Sequence, residues 1–383
     1  VVNLGTITFT GSAPCFSPNG SKGADMRSAN LNKIPRGVNP NLRNQTTVSE
    51  DFRNPYGESY TLGVAWGPND KIVFEARYAG NHSVGLFQSL NANPYMLATA
   101  TAYPKVISPS LFCTDPSAVG YQYADCGKRR VRERANTAFS QYNGLQLSAR
   151  TGNYHHLNAS LGYTFSKTID NASEVLGTFA GGSTSAFAQN PYNVDQGERA
   201  LSGISIPHVA SASFVYDVPI FQNQKGLMGK LLGGYELNGI WLFDVGQPVT
   251  PFQLGYGYYG YVGMADYCDA NFGASFNSAI STCRPVSANE KADPKAVGIY
   301  LNNDSATALG ITPGYYTVGS IIDYQNGSAD ASGNPIMPVR TTKEAVRWLF
   351  NNTDYADMVG TPFPGVGRST LRSNGWDSVN ASI

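Results

Sequence analysis

Four tyrosines stand close together in a glycine-rich stretch, GYGYYGYVG at 255–263. Tyrosine rings on a flexible backbone make adaptable amphipathic contacts, and sugar rings and peptide side chains are suitable partners. The stretch is therefore a candidate ligand-binding loop, carried by Tyr256, Tyr258, Tyr259 and Tyr261. The same rings could instead pack on neighbouring segments or belong to an aromatic belt at a membrane surface, and the sequence leaves both interpretations open.

A basic run, KRRVRER at 128–134, contains four arginines. Clustered guanidinium groups suit bidentate contacts with phosphate, which makes lipopolysaccharide phosphate a candidate partner. The residues concerned are Arg129, Arg130, Arg132 and Arg134. A solvated loop whose arginines pair with nearby acids explains the run equally well.

Four of the five cysteines form two local pairs in the sequence. Such pairs fit an oxidising export compartment, where disulfides staple segments that lack a core of their own. We predict the disulfides Cys113–Cys126 and Cys268–Cys283, with Cys15 free or paired outside this sequence. The two-residue spacing of zinc sites is missing and no histidine lies nearby, so we predict no metal and no cofactor.

No set of residues has the spacing of a catalytic site. The four histidines are scattered, and His155 and His156, if they lie on a strand, point to opposite faces of it. The strings of serine hydrolases, phosphate-binding loops, dinucleotide-binding folds and zinc proteases do not occur. We therefore predict no catalytic residues and no enzymatic activity.

Composition narrows the class of protein that could carry these residues. The chain has 383 residues and 27 basic and 27 acidic side chains, and only 14% of it is charged, where soluble domains average roughly 25%. A net charge of zero argues against a nucleic-acid partner. A hydrophobic content of 42% excludes disorder, and no apolar run approaches the ~20 residues of a membrane helix. The remaining classes are a secreted β-protein and a transmembrane β-barrel.

Alternation of apolar and polar residues is the main structural signal. In 59–66 and 71–80, Leu62, Val64 and Phe74 fall on one face of a strand, whereas Glu75 and Arg77 fall on the other. The break GPND at 67–70 predicts a hairpin between the two segments. Similar alternation recurs near 143–166, 209–218 and 235–246.

The two faces differ in character along all of these segments. We predict that the polar face lines a lumen, and its members are Glu75, Arg77, Gln146, Arg150, Asn158, Glu236, Asn238 and Asp244. The apolar face, with Leu147, Leu161, Phe214 and Phe243 among others, ends in Tyr or Trp, as barrel strands do at the membrane surface. A soluble antiparallel sheet with one wet face would give the same alternation.

Connection lengths favour the barrel. Short links at 67–70, 151–153 and 219–233 alternate with long ones at 80–137, 168–206 and 251–370. Outer-membrane barrels have short periplasmic turns and long extracellular loops, whereas compact soluble domains rarely contain several long loops. We predict an all-β fold, an antiparallel transmembrane barrel segment of about seven strands, located in the outer membrane, with lipid and lipopolysaccharide as partners.

The predicted organisation has four parts. Residues 1–58 are an outer loop with a possible preceding strand, and 59–250 hold barrel strands and loops. Residues 251–370 are a long extracellular loop with a short helix near 341–352, suggested by the capping pattern Thr341-x-x-Glu344. Residues 371–383 begin a further strand.

Several segments of the sequence resemble segments of one protein family and occur in the same order as in that family. NPYGESYTLGVAW, QYNGLQLSARTGNYHHLNASLGYTFSKTIDNAS, PYNVDQGERALSGISIPHVASASFVYDVP, GGYELNGIWLFDVGQPVTP and GVGRSTLRSNGWDSVNAS are similar to segments of TonB-dependent outer-membrane receptors of the Oar-like group. These receptors are common in acidobacteria and often carry a carboxypeptidase-regulatory-like domain. The resemblance covers most of 45–250 and 364–383, and leaves 251–363 unmatched.

The resemblance implies a barrel of about 22 strands, of which this sequence holds roughly a third. It implies that the N-terminal domain, the plug, the TonB box and the closing strands lie outside this sequence, and that a TonB-type energy-coupling protein is the partner. The polar face would then line the lumen or contact the plug. The implied function is uptake or recognition of a large or scarce ligand, namely a saccharide, a peptide or a metal chelate. The alternative is a secreted β-sandwich that acts as an adhesin or carbohydrate-binding module.

Overall fold

The computed structural model describes residues 45–93, 113, 115–118, 123–129, 131–173, 188, 190, 193–195, 197–254, 282–360 and 365–383. The strands of this part of the chain are β1 (Gln45–Val48), β2 (Tyr56–Asn69), β3 (Ile72–Asn91), β4 (Val131–Tyr154), β5 (Leu157–Asp170), β6 (Ala200–Leu201), β7 (His208–Asp217), β8 (Glu236–Asp244), β9 (Pro248–Val249), β10 (Gln253–Leu254), β11 (Thr282–Cys283), β12 (Val286–Ser287), β13 (Val297–Leu301), β14 (Gly314–Thr317), β15 (Trp348–Leu349), β16 (Leu371–Arg372) and β17 (Trp376–Ser382). Its α-helices are α1 (Gly226–Leu232), α2 (Asn303–Ala308), α3 (Val318–Gln325) and α4 (Thr353–Val359). None of these helices is long and apolar enough to cross a bilayer.

One large sheet contains the strands that the alternation predicts. Its seven main strands lie in the order β17-β8-β7-β5-β4-β3-β2, so each strand is hydrogen-bonded to the next long strand of the chain. All six of these pairings are antiparallel. The short β1 pairs with β4, and β6 extends the edge of β5. The predicted antiparallel all-β fold is confirmed.

The pairing register separates apolar from polar side chains. Residues opposite each other on neighbouring strands share a face. Leu62 lies opposite Tyr78, which lies opposite Leu145, whereas Arg77 lies opposite Gln146. All eight polar residues predicted to share a face do share it. On β8 this polar face also carries Ile240 and Leu242.

The long strands extend beyond the ends that the sequence predicts. β3 has 20 residues and β4 has 24, so 80–91 and 131–137, predicted as loop, are strand. A transmembrane strand needs only about 9–11 residues. The extra length of β3 and β4 stays paired as far as Asn91 and Arg132, with register shifts between Ser83 and Gln88, and the two strands therefore extend beyond the membrane-spanning part.

The tight turn between β4 and β5 is formed by His155 and His156, not by 151–153 as predicted. Both histidines have positive φ, 51° and 66°, which is the backbone of a two-residue hairpin turn of the kind that matches strand twist. The two histidines therefore lie in the turn itself and not on a strand. The first hairpin turns at Asp70 and Lys71, at the end of the predicted break.

Residues 282–360 form a folded unit, here called the rim subdomain. A sheet in the order β12-β15-β13-β14 packs against α2, α3 and α4. Ile299, Leu301, Ile321 and Leu349 are 0% exposed in its core. The chain leaves the large sheet at the end of β8 and returns at the start of β17, so the subdomain lies at the edge from which the long connections leave.

The helix predicted near 341–352 is not formed. Lys343–Ala345 is a single 3-10 turn, and its flanking residue Thr342 makes no side-chain cap. The chain then continues into β15, which pairs with β12 and β13. Val346 and Leu349 are buried by that pairing, and tertiary contacts of this kind override local helix propensity.

Candidate functional site

No other described element covers the apolar face of the large sheet. Leu62 is 74% exposed and Val64 67%. In water, an apolar surface of this extent would promote aggregation, whereas a hydrocarbon environment accommodates it. Val64, Trp66 and Phe74 line an open groove of about 760 Å³ on this face.

Aromatic side chains bound this face at both ends. At the long-connection end, the rings of Tyr60 and Tyr78 lie 6.1 Å apart. At the short-turn end, Trp66 stacks on Phe74 at 5.7 Å. Tyr60 and Trp66 are six residues apart on β2, which is about 20 Å along an antiparallel strand. That separation is close to the ~25 Å height of the apolar band of outer-membrane barrels.

The polar face carries charges of both signs in an open groove. Arg77 pairs with Glu75 at 2.6 Å. Further along, Arg150, Asn158 and Glu236 line a groove of about 530 Å³. These groups remain exposed, so they can bind water or a polar solute and add little to stability.

A buried ion cluster connects the sheet to the rim subdomain. It consists of two acids and two arginines, namely Asp170, Glu198, Arg284 and Arg368. Asp170 ends β5, Glu198 precedes β6, Arg284 belongs to the rim subdomain and Arg368 precedes β16. The side chains are no more than 5% exposed. The cluster is neutral overall, as four buried charges must be if they are to be tolerated.

Arg368 is the centre of this cluster. It pairs with the carboxylate of Asp170 and, at 3.6 Å, with that of Glu198, while it donates to the Ser173 hydroxyl at 2.7 Å. Arg284 reaches the same Glu198 carboxylate at 2.7 Å. Hydrogen bonds to charged partners are the strong ones, and here they hold the subdomain in one position on the sheet.

A cavity of about 750 Å³ opens in the rim subdomain beside the point where the chain enters it. Phe252, Val297 and Trp348 supply apolar walls, and Lys295 and Thr341 supply polar groups. Ligand sites are commonly 300–1,000 Å³ and mostly apolar, with a few polar groups that fix orientation.

Side-chain hydrogen bonds fix the wall of this cavity. Gln253 donates to the backbone carbonyl of Asn351 at 3.1 Å and accepts from its backbone N–H at 2.8 Å. Gln253 lies on β10, immediately before the tyrosine-rich stretch. Tyr256, Tyr258, Tyr259 and Tyr261 themselves lie outside the described residues, as does Cys268.

Two arginines of the predicted run, Arg129 and Arg134, have described side chains. Arg130 and the side chain of Arg132 lie outside the described part. Arg134 stacks over the ring of Phe87 at 5.3 Å and donates to the Ser89 hydroxyl. Of the two described arginine side chains, that of Arg129 is exposed and that of Arg134 is half-buried. The lipopolysaccharide-phosphate role stays a prediction for the run, and Arg134 makes its contacts within the protein.

Cys113 and Cys126 are joined by a disulfide, with a Cα–Cα distance of 4.9 Å. The backbone N–H of Gly127 donates to the carboxylate of Asp125, which lowers the pKa of that carboxyl, and Lys128 pairs with it at 3.2 Å. Cys268, the predicted partner of Cys283, lies outside the described residues, and this second disulfide stays a prediction. Within the described part, no group of three or more His, Cys, Asp or Glu side chains could hold a metal ion.

The ion cluster is the feature that sequence reasoning missed. Its members are separated by up to 198 positions and obey no local spacing rule. The available signal was that Glu198 and Arg368 fall within DQGER and GVGR, strings that carry the family resemblance.

A sheet with one apolar face, one polar face and aromatic ends has the geometry of a barrel wall. A comparison of the sequence with known protein families agrees with this geometry. The family described as outer membrane beta barrel domain matches residues 3–383. This chain belongs to that family. Membership places the chain in the outer membrane. The alternative of a secreted β-sandwich is therefore wrong.

Other comparisons add a distant likeness. No curated protein sequence matches the chain significantly. Among solved structures, the outer membrane transporter YddB from Escherichia coli is similar, with 11% identity and a TM-score of 0.32. The match covers 55% of this barrel domain and 23% of the YddB chain.

Proposed function

We propose that this barrel domain forms part of the wall of a TonB-dependent import channel for a large or scarce ligand. The observation that carries the proposal is the sheet itself, since the eight polar residues share one of its faces and the apolar face is left for lipid. The eight polar residues predicted to face the lumen line the interior or contact a plug. β2 and β17 have free edges in the described sheet, and in a bilayer such edges must pair with further strands.

The rim subdomain would capture the ligand before it enters the channel. Its cavity has an aromatic wall formed by Phe252 and Trp348 and polar groups at Lys295 and Thr341. Aromatic surfaces with a few polar groups suit saccharides and aromatic peptides. The tyrosine-rich stretch begins two positions after Gln253, which lines this cavity. We propose that the stretch adds to the same binding surface.

Energy coupling would come from a TonB-type protein. The resemblance to Oar-like receptors supports this part of the proposal, and the plug and the TonB box would belong to the longer parent protein. Saccharides, peptides and metal chelates remain the three ligand classes. Import involves no covalent step, so no residue is assigned a catalytic role.

Uptake by cells that carry the full-length parent protein tests the proposal. The probes are a radiolabelled malto-oligosaccharide, a radiolabelled oligopeptide and a ferric hydroxamate chelate. We expect uptake of one class to require the parent protein and to stop when the proton gradient is dissipated. Binding that persists without uptake would leave surface recognition as the function and would overturn import.

Phe252→Ala tests the cavity separately. Loss of an aromatic contact worth roughly 1.4 kcal/mol corresponds to about a tenfold weaker affinity for the transported probe. Met337→Ala is the matched control, because Met337 is an exposed apolar residue of the rim subdomain that does not line the cavity. Equal affinities of the two variants would contradict capture by the cavity.

A further inference from the structure

The link between β7 and β8, residues 218–235, exposes an unusual amount of apolar surface for a connection at the short-turn end. It contains helix α1, whose Leu227 and Met228 are 76% and 60% exposed. Leu231 and Leu232 of the same helix are exposed, and so are Ile220 and Phe221 before it. The other links at this end are two-residue turns without such side chains. We call residues 218–235 the anchor link.

The exposed leucines and methionine of α1 lie on one side of the helix. At 3.6 residues per turn, Leu227, Met228, Leu231 and Leu232 fall within an arc of about 140°. Gly229 and Lys230 lie outside that arc. The helix is therefore amphipathic, and its apolar side is the one that the protein leaves open.

The opposite side of α1 is closed by the anchor link itself. A Cβ added at Gly229 would lie 2.8 Å from the backbone carbonyl carbon of Gln224, and one added at Gly233 would overlap the carbonyl group of Phe221. The turn at 221–224 therefore packs directly on the back of the helix. The turn itself is closed by a hydrogen bond from the Gln224 N–H to the Phe221 carbonyl at 2.8 Å. This packing fixes the helix with its apolar side outward.

The apolar side of the anchor link is continuous with the apolar face of the barrel. Tyr216 lies opposite Leu237 on that face, and Tyr235, two residues before Leu237, continues the same row. The ladder persists there, since the Val218 N–H donates to the Tyr235 carbonyl at 3.0 Å. The Tyr235 hydroxyl donates to the backbone carbonyl of Leu231 at 2.8 Å, which ties the end of α1 to the lipid-facing row.

Charge on the anchor link has one sign. Lys225 and Lys230 are its charged residues, so its net charge is +2. Both side chains belong to exposed residues. Lysines beside an apolar helix side are typical of helices that lie in the interface of a bilayer and attract anionic headgroups.

We propose that the anchor link lies in the phospholipid leaflet on the periplasmic side of the outer membrane. The short turns of outer-membrane barrels face the periplasm, and the anchor link extends the lipid-facing row at that end. Leu227, Met228 and Leu231 enter the acyl-chain boundary, and Lys225 and Lys230 bind phospholipid phosphates. The link thereby fixes the depth of this part of the barrel in the membrane, independently of any ligand.

A photocrosslinking experiment on the full-length parent protein in the outer membrane tests this inference. The photoreactive residue p-benzoylphenylalanine replaces Leu231, and after irradiation the adducts are identified by mass spectrometry. We expect covalent adducts with phospholipid. The matched control places the same residue at Gln222, an exposed polar position of the same link, where we expect at least fivefold fewer lipid adducts. Heat-modifiable migration shows that both variants fold.

Adducts of the Leu231 position with protein alone, or equal lipid yields at both positions, would overturn the inference and point to a plug or second copy. The lysines are tested in vesicles of phosphatidylcholine with and without 30% phosphatidylglycerol. The protein with the photoreactive residue at position 231 and both lysines intact should prefer phosphatidylglycerol over phosphatidylcholine in its adducts. We expect Lys225→Gln with Lys230→Gln, introduced into the same photoreactive protein, to abolish that preference. Absence of that preference while both lysines are intact would contradict phosphate binding by the lysines. None of these readouts depends on uptake.

Discussion

The large sheet and the rim subdomain satisfy their apolar residues in opposite ways. Every residue of β2 is exposed, including Leu62 and Val64 in its centre. In the rim subdomain, Leu301 and Ile321 are completely buried. The rim subdomain lies between β8 and β17 of the sheet in the sequence, yet the sheet is built for hydrocarbon and the subdomain for water.

This contrast identifies the source of stability in each region. The sheet satisfies its backbone groups through long ladders, 17 paired positions between β3 and β4 alone, and obtains its apolar contacts from lipid. The rim subdomain buries its own core and needs no lipid to do so. The buried ion cluster at Arg368 lies at the junction between the two regions.

The largest expected effect comes from breaking that junction. Arg368→Ala leaves Asp170 and Glu198 buried with fewer partners, and loss of one partner in a buried charge network costs about 3–5 kcal/mol. We expect the rim subdomain to become sensitive to protease while the barrel still migrates as a folded band. Limited proteolysis combined with a heat-modifiability gel measures both at once.

Arg372→Ala is the control for this variant. Arg372 lies four positions further on, is exposed, and donates to the backbone carbonyl of Gly246 at 3.0 Å. Its loss should cost about 1 kcal/mol. Equal protease sensitivity of the two variants would show that the ion cluster does not hold the subdomain.

Different physical signals explain what the sequence could predict. The alternation of apolar and polar residues predicted which side chains of β2, β3, β4 and β5 share a face, because side chains alternate strictly along a strand. The ion cluster left no periodic signal, since its members meet only after distant segments fold. The helix predicted for 341–352 was wrong for a related reason. The local pattern of this segment suits a helix, but pairing of β15 with β13 makes part of it a strand.

A mutation that creates a cavity in the core of the rim subdomain is the next test of the difference between the two regions. Leu301→Ala removes a fully buried side chain, and such truncations cost about 2–5 kcal/mol. Val64→Ala removes apolar atoms of the sheet that face outward, and we expect a loss below ~1 kcal/mol, because lipid replaces the missing contacts. Unfolding of each variant in urea, followed by protease protection, measures the difference. Similar losses would mean that the sheet also buries this face against protein.

A charge placed on either face of β4 sharpens the same comparison. Leu147→Arg puts a guanidinium on the apolar face and should cost ~2–4 kcal/mol near the middle of the membrane. Gln146→Arg, one position earlier, points to the polar face beside Arg77 and should cost less than ~1 kcal/mol. Folding yields in phospholipid vesicles compare the two. A reversed order would exchange the lipid and lumen faces.

The smallest expected effect is a response to pH that the rim subdomain shows and the sheet does not. The carboxylate of Asp330 accepts from the backbone N–H groups of Asn334 and Ser332, at 2.9 and 2.8 Å, and these hydrogen bonds lower its pKa below the ordinary value of 3.8. A lowered pKa in the folded state means that the turn is stabilised above pH 3.8 and loses this contribution as the pH falls through the lowered value.

Hydrogen exchange of the peptide 328–336, compared with a peptide from β5, detects that response. We expect protection of the turn to decrease below pH 3.8 in the wild-type protein, after correction for the intrinsic exchange rate, while the β5 peptide stays protected. In Asp330→Ala, the turn should exchange rapidly at every pH, because the acceptor is missing. A wild-type turn whose protection is independent of pH would show that the carboxylate does not hold it. Loss of protection in β5 over the same range would show that the sheet, too, depends on water-exposed titrating groups and would remove the distinction between the two regions.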